Sequence, residues 1–204
     1  MKKIIHLLCL LVAINNGPLL ANSLIQDPAI VLITGSNRGI GLALAERYAK
    51  DGWKVIATCR NPNQAVKLKT IADKYPLIMI EKIDVTDMET INKVADKYQD
   101  NSIDVLINNA GISGGITNQV FGNLDYSIFM RVIDVNTLGP TRMAEAFLDH
   151  VTTSKQKKII NITSTQGSIT RTRGGQYFYK TSKAALNMIT RNLSQDLKSK
   201  KIIV

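Results

Sequence analysis

The region from Ala29 to Val204 predicts an α/β protein, a doubly wound parallel sheet in three layers with helices on both faces. Three observations lead there. Short apolar runs rich in Ile, Val and Leu recur at the spacing of βαβ units. The segments between them carry helix start and stop signals. The first run ends in a glycine-rich turn that opens a helix. A chain of 204 residues is long enough for one such domain with a substantial core.

Each element follows in order. "AIVLITG" from Ala29 is a buried strand. "GIGLALAERYAKDG" is helical, with Ile40, Leu44 and Tyr48 as its apolar stripe and Gly52 as its stop. "WKVIATCR" is a second strand, and "NPNQAVKLKTIADKY" is a helix opening at Asn61-Pro62. "PLIMIEKIDV" is a third strand. "TDMETINKVADKYQD" is a helix starting at a Thr86/Asp87 cap, with Glu89 three positions after Thr86 as a capping box. "IDVLINNAG" is a fourth strand ending in a glycine loop. A long helix is expected from about Leu124 to His150, bent or interrupted at Gly139-Pro140. "KKIINITS" is a fifth strand. Residues 165–176 form a loop, a helix runs from about Tyr177 to Ser199, and "KIIV" opens a sixth strand. There is no internal repeat, low-complexity tract or second-domain linker.

The front of the chain differs. Two lysines, an apolar run over Ile4–Ile14 and a small residue at Ala21 resemble a bacterial secretory signal peptide over residues 1–21. The alternative is an uncleaved apolar arm. The run is 11 residues long, against the roughly 20 apolar residues of a membrane-spanning helix. Export is one expectation for location; the cytoplasm is the other.

Apolar residues make up 45% of the chain, and mean hydropathy is near zero. The net charge of +10 is dispersed, with short clusters at Lys155–Lys158 and Lys198–Lys201. No zinc-finger spacing or RNA-binding signature accompanies it, so a solvated basic surface is expected and a nucleic-acid partner is not. Cys9 and Cys59 do not make a disulfide framework. The two histidines, His6 and His150, lie far apart in the chain, so no metal site is expected.

"TGSNRGIG" places Gly35, Ser36, Asn37, Arg38, Gly39, Ile40 and Gly41 at a strand-to-helix junction. Glycines there let backbone approach a pyrophosphate, and the helix N-terminus adds partial positive charge. The second strand ends in "TCR", without the carboxylate that often binds ribose hydroxyls of NAD. Arg38 and Arg60 suit a 2′-phosphate instead, which favours NADP(H) over NAD(H). Near the other end, "GGQYFYKTSK" holds Tyr179 and Lys183 four positions apart, on one helix face. Tyr177 lies on a different face and is read as a substrate-cleft or packing residue.

Taken in order, "TGSNRGIG", "NNAG" (Asn108–Gly111), "DVNTLGP", "NITS" and "YKTSK" resemble the short-chain dehydrogenase/reductase family, which has a Rossmann-type fold. "TCRNP" and "GGQYFYKTSKAALNM" are similar to its carbonyl-reductase and C-factor-like branch. The resemblance covers residues 29–204 as one NAD(P)-binding domain. It implies an NADPH-dependent oxidoreductase acting on a small carbonyl or alcohol substrate. It also implies roles. Tyr179 is the general acid, and Lys183 lowers its pKa from about 10 and binds the nicotinamide ribose. Ser164 donates to the substrate oxygen, with Thr165 and Ser168 as alternatives, and Asn136 holds a water linked to Lys183. Asp84, Val85, Asn108, Ala110 and Gly111 line the adenosine and ribose path. The family's dimers often use two long helices, so a homodimer is one expected assembly.

Family members continue past the position of "KIIV" through further strands and a substrate loop. The expectation is therefore a sheet lacking its C-terminal strands, a last helix partly uncovered on its core side, and weak or absent turnover. A non-catalytic nucleotide-binding or signalling module is the second functional reading.

Overall fold

A computed structural model describes residues 27–204; the signal-like segment over residues 1–21 lies outside the described residues. Along the chain the elements are β1 (Ile30–Ile33), α1 (Gly39–Lys50), β2 (Lys54–Cys59), α2 (Val66–Lys74), β3 (Ile78–Lys82), α3 (Met88–Lys97) and β4 (Val105–Asn108). A small antiparallel hairpin of β5 (Gln119–Val120) and β6 (Asn123–Leu124) follows. Then come α4 (Tyr126–Ile133), α5 (Gly139–Ala146), α6 (Leu148–Thr152), β7 (Lys158–Asn161) and α7 (Tyr177–Asp196). Five strands pair in parallel in the order β3-β2-β1-β4-β7, the doubly wound arrangement expected. At the far edge Ile203 forms a parallel bridge with Lys158, where "KIIV" was expected to open a sixth strand. Among the described residues, no helix is long and apolar enough to cross a membrane.

Both sheet faces are buried, which is why the strands read as continuous apolar runs. On one face Leu32, Ile56, Leu106 and Ile159 pack with Ile91 of α3, Met143 of α5, Phe147 between α5 and α6, and Val151 of α6. On the other, Val31, Ile33, Val55 and Ile107 pack with Ala45, Ala49 and Leu68 of α1 and α2. The last helix is buried along its first half, at Phe178, Ser182, Lys183 and Leu186, while Ile189 and Leu193 in its second half are only half-buried, so its core side is partly uncovered. On the opposite face of the edge strand, Ile160 is also exposed, at 37%. Buried Asp104 ties two strand starts together, accepting from the N–H groups of Ile30 at 3.0 Å and Gln156 at 3.3 Å.

Three local expectations are corrected. In α1 the buried stripe is Gly41, Ala45 and Ala49, one residue on from Ile40, Leu44 and Tyr48. Small residues face the sheet because they let the helix lie close to it, and Ile40 is left 61% exposed beside the glycine turn. At α3 the cap is Asp87, whose carboxylate accepts from Glu89 N–H at 2.9 Å. Thr86 does not cap, because its hydroxyl donates to Asp84 Oδ1 at 2.7 Å.

The third correction concerns the long helix expected over Leu124–His150. It is divided into α4, a π-helical turn over Asp134–Leu138, α5 and α6. The chain passes through Gly139 at helical angles, so the interruption lies just upstream of the position expected. Pro140 has no N–H for the Asn136 carbonyl four residues back, which breaks the regular ladder. Gly139 N–H reaches back five residues to Asp134 O instead.

Candidate active site

A cleft of about 350 Å³ opens at the C-terminal ends of β1, β2, β3 and β4. The crossing of chains there depends on the glycine turn. Gly35 has φ +67°, and a Cβ on it would come within 3.0 Å of the Ala110 backbone. Gly39 has φ +58° and faces space free of protein atoms within 4 Å of where a Cβ would stand. No side chain caps the start of α1, and its first turn carries no acid. The backbone donors of that turn therefore suit an anionic group brought close to Gly39. Asn109 braces the turn, its Nδ2 donating to Thr34 O at 2.9 Å and Gly35 O at 3.2 Å.

The charge balance of the cleft favours phosphate. Arg38, Arg60 and Arg131 line it, and none of them is paired with a carboxylate among the described residues. Residues 1–26 contain no Asp or Glu. The two acids at the cleft are engaged elsewhere. Asp134 Oδ1 is 2.7 Å from Arg142 Nη2. Asp84 Oδ1 accepts from Thr86 N–H at 3.0 Å as well as from its hydroxyl. These features fit a dinucleotide bearing an extra phosphate.

Beyond the cleft's inner end stands the helix α7. Lys183 is buried, and its Nζ donates to Ile162 O at 2.8 Å, just past β7. Burial pushes its ammonium pKa down. The same Nζ lies 5.8 Å from the centroid of the Tyr179 ring. It is also 3.8 Å from where a Cβ on Gly111 would stand, which puts the Tyr–Lys pair next to the cleft. Ser164 starts a short turn and its Oγ accepts from Gln166 N–H at 3.2 Å, which leaves its own O–H free to donate outward. Thr165 is exposed in that turn, and Ser168 follows it.

Asn136 is fully buried in the π turn. Its Oδ1 accepts from Ile112 N–H at 2.8 Å, and its Nδ2 donates to Ile112 O at 2.8 Å and to Ser182 Oγ at 2.9 Å. Thr137 donates to Ser182 O at 3.0 Å. The Gly111–Ile112 backbone, the π turn and α7 are thus one rigid corner.

Most residues expected at the cofactor line the cleft: Gly35, Asn37, Arg38, Gly39, Ile40, Arg60, Asp84, Val85, Ala110 and Gly111. Three do not. Ser36 is buried and its hydroxyl donates to Ile33 O at 2.8 Å, so it shapes the turn from within. Gly41 packs instead: a Cβ there would sit 2.4 Å from Gly35 O. Asn108 points into the core, donating to Asn161 Oδ1 at 2.9 Å. Asn109, one residue later, takes the place at the cleft. Arg131 was missed altogether. Nothing in the local sequence marks it, because its approach to the cleft depends on how α4 packs against α7 and the π turn. Tyr177 is 37% exposed and packs against Phe121 of the hairpin, ring centroids 5.9 Å apart.

Fold and cleft together define a dinucleotide-binding α/β protein with a Tyr–Lys pair at one end of its binding site. A family model described as short chain dehydrogenase matches residues 29–204, and the chain belongs to that family. An NADPH-bound carbonyl reductase from chicken fatty liver is similar in structure, with a TM-score of 0.79 and 33% identity. That match covers 86% of this chain and 73% of the reductase. The (+)-neomenthol dehydrogenase of Arabidopsis thaliana is 28% identical over 71% of this chain, which spans 56% of that protein. The C-signal protein of Myxococcus xanthus is 42% identical over 97 residues, 47% of this chain and 57% of that protein.

Proposed function

We propose that the chain is an NADP(H)-dependent oxidoreductase that interconverts a carbonyl compound and its alcohol. The observation that carries this is the placement of Tyr179 and anchored Lys183 one helical turn apart beside Gly111 and the cleft. Arg38 and Arg60 would hold the 2′-phosphate, with the uncapped start of α1 beneath the pyrophosphate. When bound, the reduced nicotinamide supplies the hydride that adds to the carbonyl carbon. Tyr179 gives its phenolic proton to the carbonyl oxygen, completing the alcohol. Lys183 stabilises the phenolate left behind. Ser164 donates its hydroxyl hydrogen to the same substrate oxygen as charge develops there. Asn136 holds the π turn whose backbone would carry a water toward Lys183, the route by which Tyr179 regains its proton. In the oxidative direction each transfer runs in reverse.

The test is NADPH consumption with 4-nitrobenzaldehyde as a reactive probe. The wild-type chain turns over, and Tyr179→Phe abolishes turnover while NADPH affinity stays unchanged. A wild type that binds NADPH without turnover would favour the nucleotide-binding module instead. Full activity in Tyr179→Phe would overturn the role given to the tyrosine.

A further inference from the structure

The helix that carries Tyr179 and Lys183 has an unusual start. Its N-cap residue, Gln176, is in the left-handed region at φ +50°, and its side chain makes no capping bond. The orphan donors of that first turn are met from another part of the chain. Gln119, 3% exposed at the start of β5, presents Oε1 to Phe178 N–H at 2.9 Å and to Tyr179 N–H at 3.2 Å. Its Nε2 donates to Ser113 O at 2.8 Å and Gly115 O at 2.6 Å. All four polar valences of the amide are used. Only one orientation of the amide achieves this, because the two carbonyls need donors and the two backbone N–H groups need an acceptor.

Gln119 therefore joins the loop after β4 to the backbone of Tyr179. Asn136 joins the same loop to α7 from its other end, through Ile112 and Ser182. Two amide side chains hold the loop and the helix in register, Gln119 at the backbone of Phe178 and Tyr179 and Asn136 at Ser182, between Tyr179 and Lys183. We infer that Gln119 is a positioning residue for Tyr179: it fixes the phenol's height along the cleft and completes, with a neutral acceptor, the N-terminal turn of α7. This rests on the acid role proposed above for Tyr179. Neutrality matters because a negative charge at this point would oppose formation of the phenolate nearby. The charged and titratable groups around this end of α7 are Tyr177, Lys180 and Lys183 of α7 itself, Arg171 and Arg173 in the loop leading into it, Tyr126 and Arg131 of α4, and Asp125 and Asp134 at the two ends of α4. The loop over 111–118 and the hairpin strand β5 contribute none.

Two variants of the full chain test this. Gln119→Glu keeps the acceptor toward Phe178 and Tyr179 but adds charge and loses both donations to the loop. Gln119→Ala removes the clamp without adding charge. Tyrosine carrying a carbon-13 label at Cζ is titrated by NMR, with the Tyr179 signal identified by its loss in Tyr179→Phe. Gln119→Glu should raise the Tyr179 midpoint by about one pH unit. In turnover with 4-nitrobenzaldehyde, Gln119→Ala should lower kcat about tenfold with KM and NADPH affinity unchanged. An unmoved Tyr179 midpoint in Gln119→Glu, or an unchanged kcat in Gln119→Ala, overturns the proposal. A wild type without turnover would sink the oxidoreductase reading, while the titration still decides the role of Gln119.

Discussion

Asn136 and Ser182 are joined by a hydrogen bond of 2.9 Å between two fully buried side chains, one in the π turn and one on α7. Ser182 Oγ passes its own hydrogen to Tyr179 O at 2.7 Å. The backbone of the proposed acid is thus tied through one hydroxyl to the helix behind it.

Replacing Asn136 by Ala would strand both backbone groups of Ile112 and the Ser182 acceptor. The expected loss of stability is about 2 kcal/mol, from unpaired polar groups in a partly buried corner. It should be read as a lower urea midpoint at unchanged slope. A loss below roughly 0.5 kcal/mol would mean that water replaces the amide without difficulty.

Arg60 bears on cofactor choice. Arg60→Glu should weaken NADPH binding by about thirtyfold, the scale of losing one charge-assisted contact of about 2 kcal/mol. NADH binding should be unchanged or improved, since it has no 2′-phosphate to repel. Titration of the two cofactors at fixed ionic strength checks this, and equal losses for both would place Arg60 away from the 2′-phosphate.

Lys183 predicts a pH signature in stability. Its folded pKa is depressed by burial, so unfolding restores a higher proton affinity. Between the folded pKa and the ordinary lysine value of about 10.4, the unfolded chain binds the proton that the folded chain has shed. Wild-type stability gains with pH across that window from this group, and the cost of burying the charge is fully present below it. Lys183→Met lacks that cost. Its stability advantage over wild type should therefore be greatest near neutral pH and shrink toward pH 10.4. Other titrating groups are common to both proteins, so a pH-independent difference in unfolding free energy would contradict the assignment.

The strands and the glycine turn were legible because their signals are local. "AIVLITG" and "DVLINN" need no distant contact to read as buried parallel strands, and "TGSNRGIG" names a turn by its own backbone demands. Signals that depend on phase were less secure. Ile40, Leu44 and Tyr48 are the larger apolar residues of α1, yet close packing on the sheet selected Gly41, Ala45 and Ala49. Asn108 and Asn109 differ by one position, and alternation along β4 turns the first inward and the second toward the cleft. Gln119 and Arg131 carried no local pattern at all. Gln119 acts on a helix some sixty residues away in sequence, and Arg131 reaches the cleft through the packing of α4 against α7 and the π turn.

The π turn over Asp134–Leu138 works as a gear between two helices. Each helical residue advances the side-chain direction by about 100°, and a π turn holds one more residue than an α turn. Upstream, Val132 is buried on α4, which packs toward α7; downstream, Met143 and Ala144 of α5 are buried against the sheet. A single-residue deletion in this turn would rotate one half against the other by that angle. Either Met143 would leave the core or Asn136 would leave Ser182. The extra residue is what lets one continuous stretch of chain serve two differently oriented surfaces.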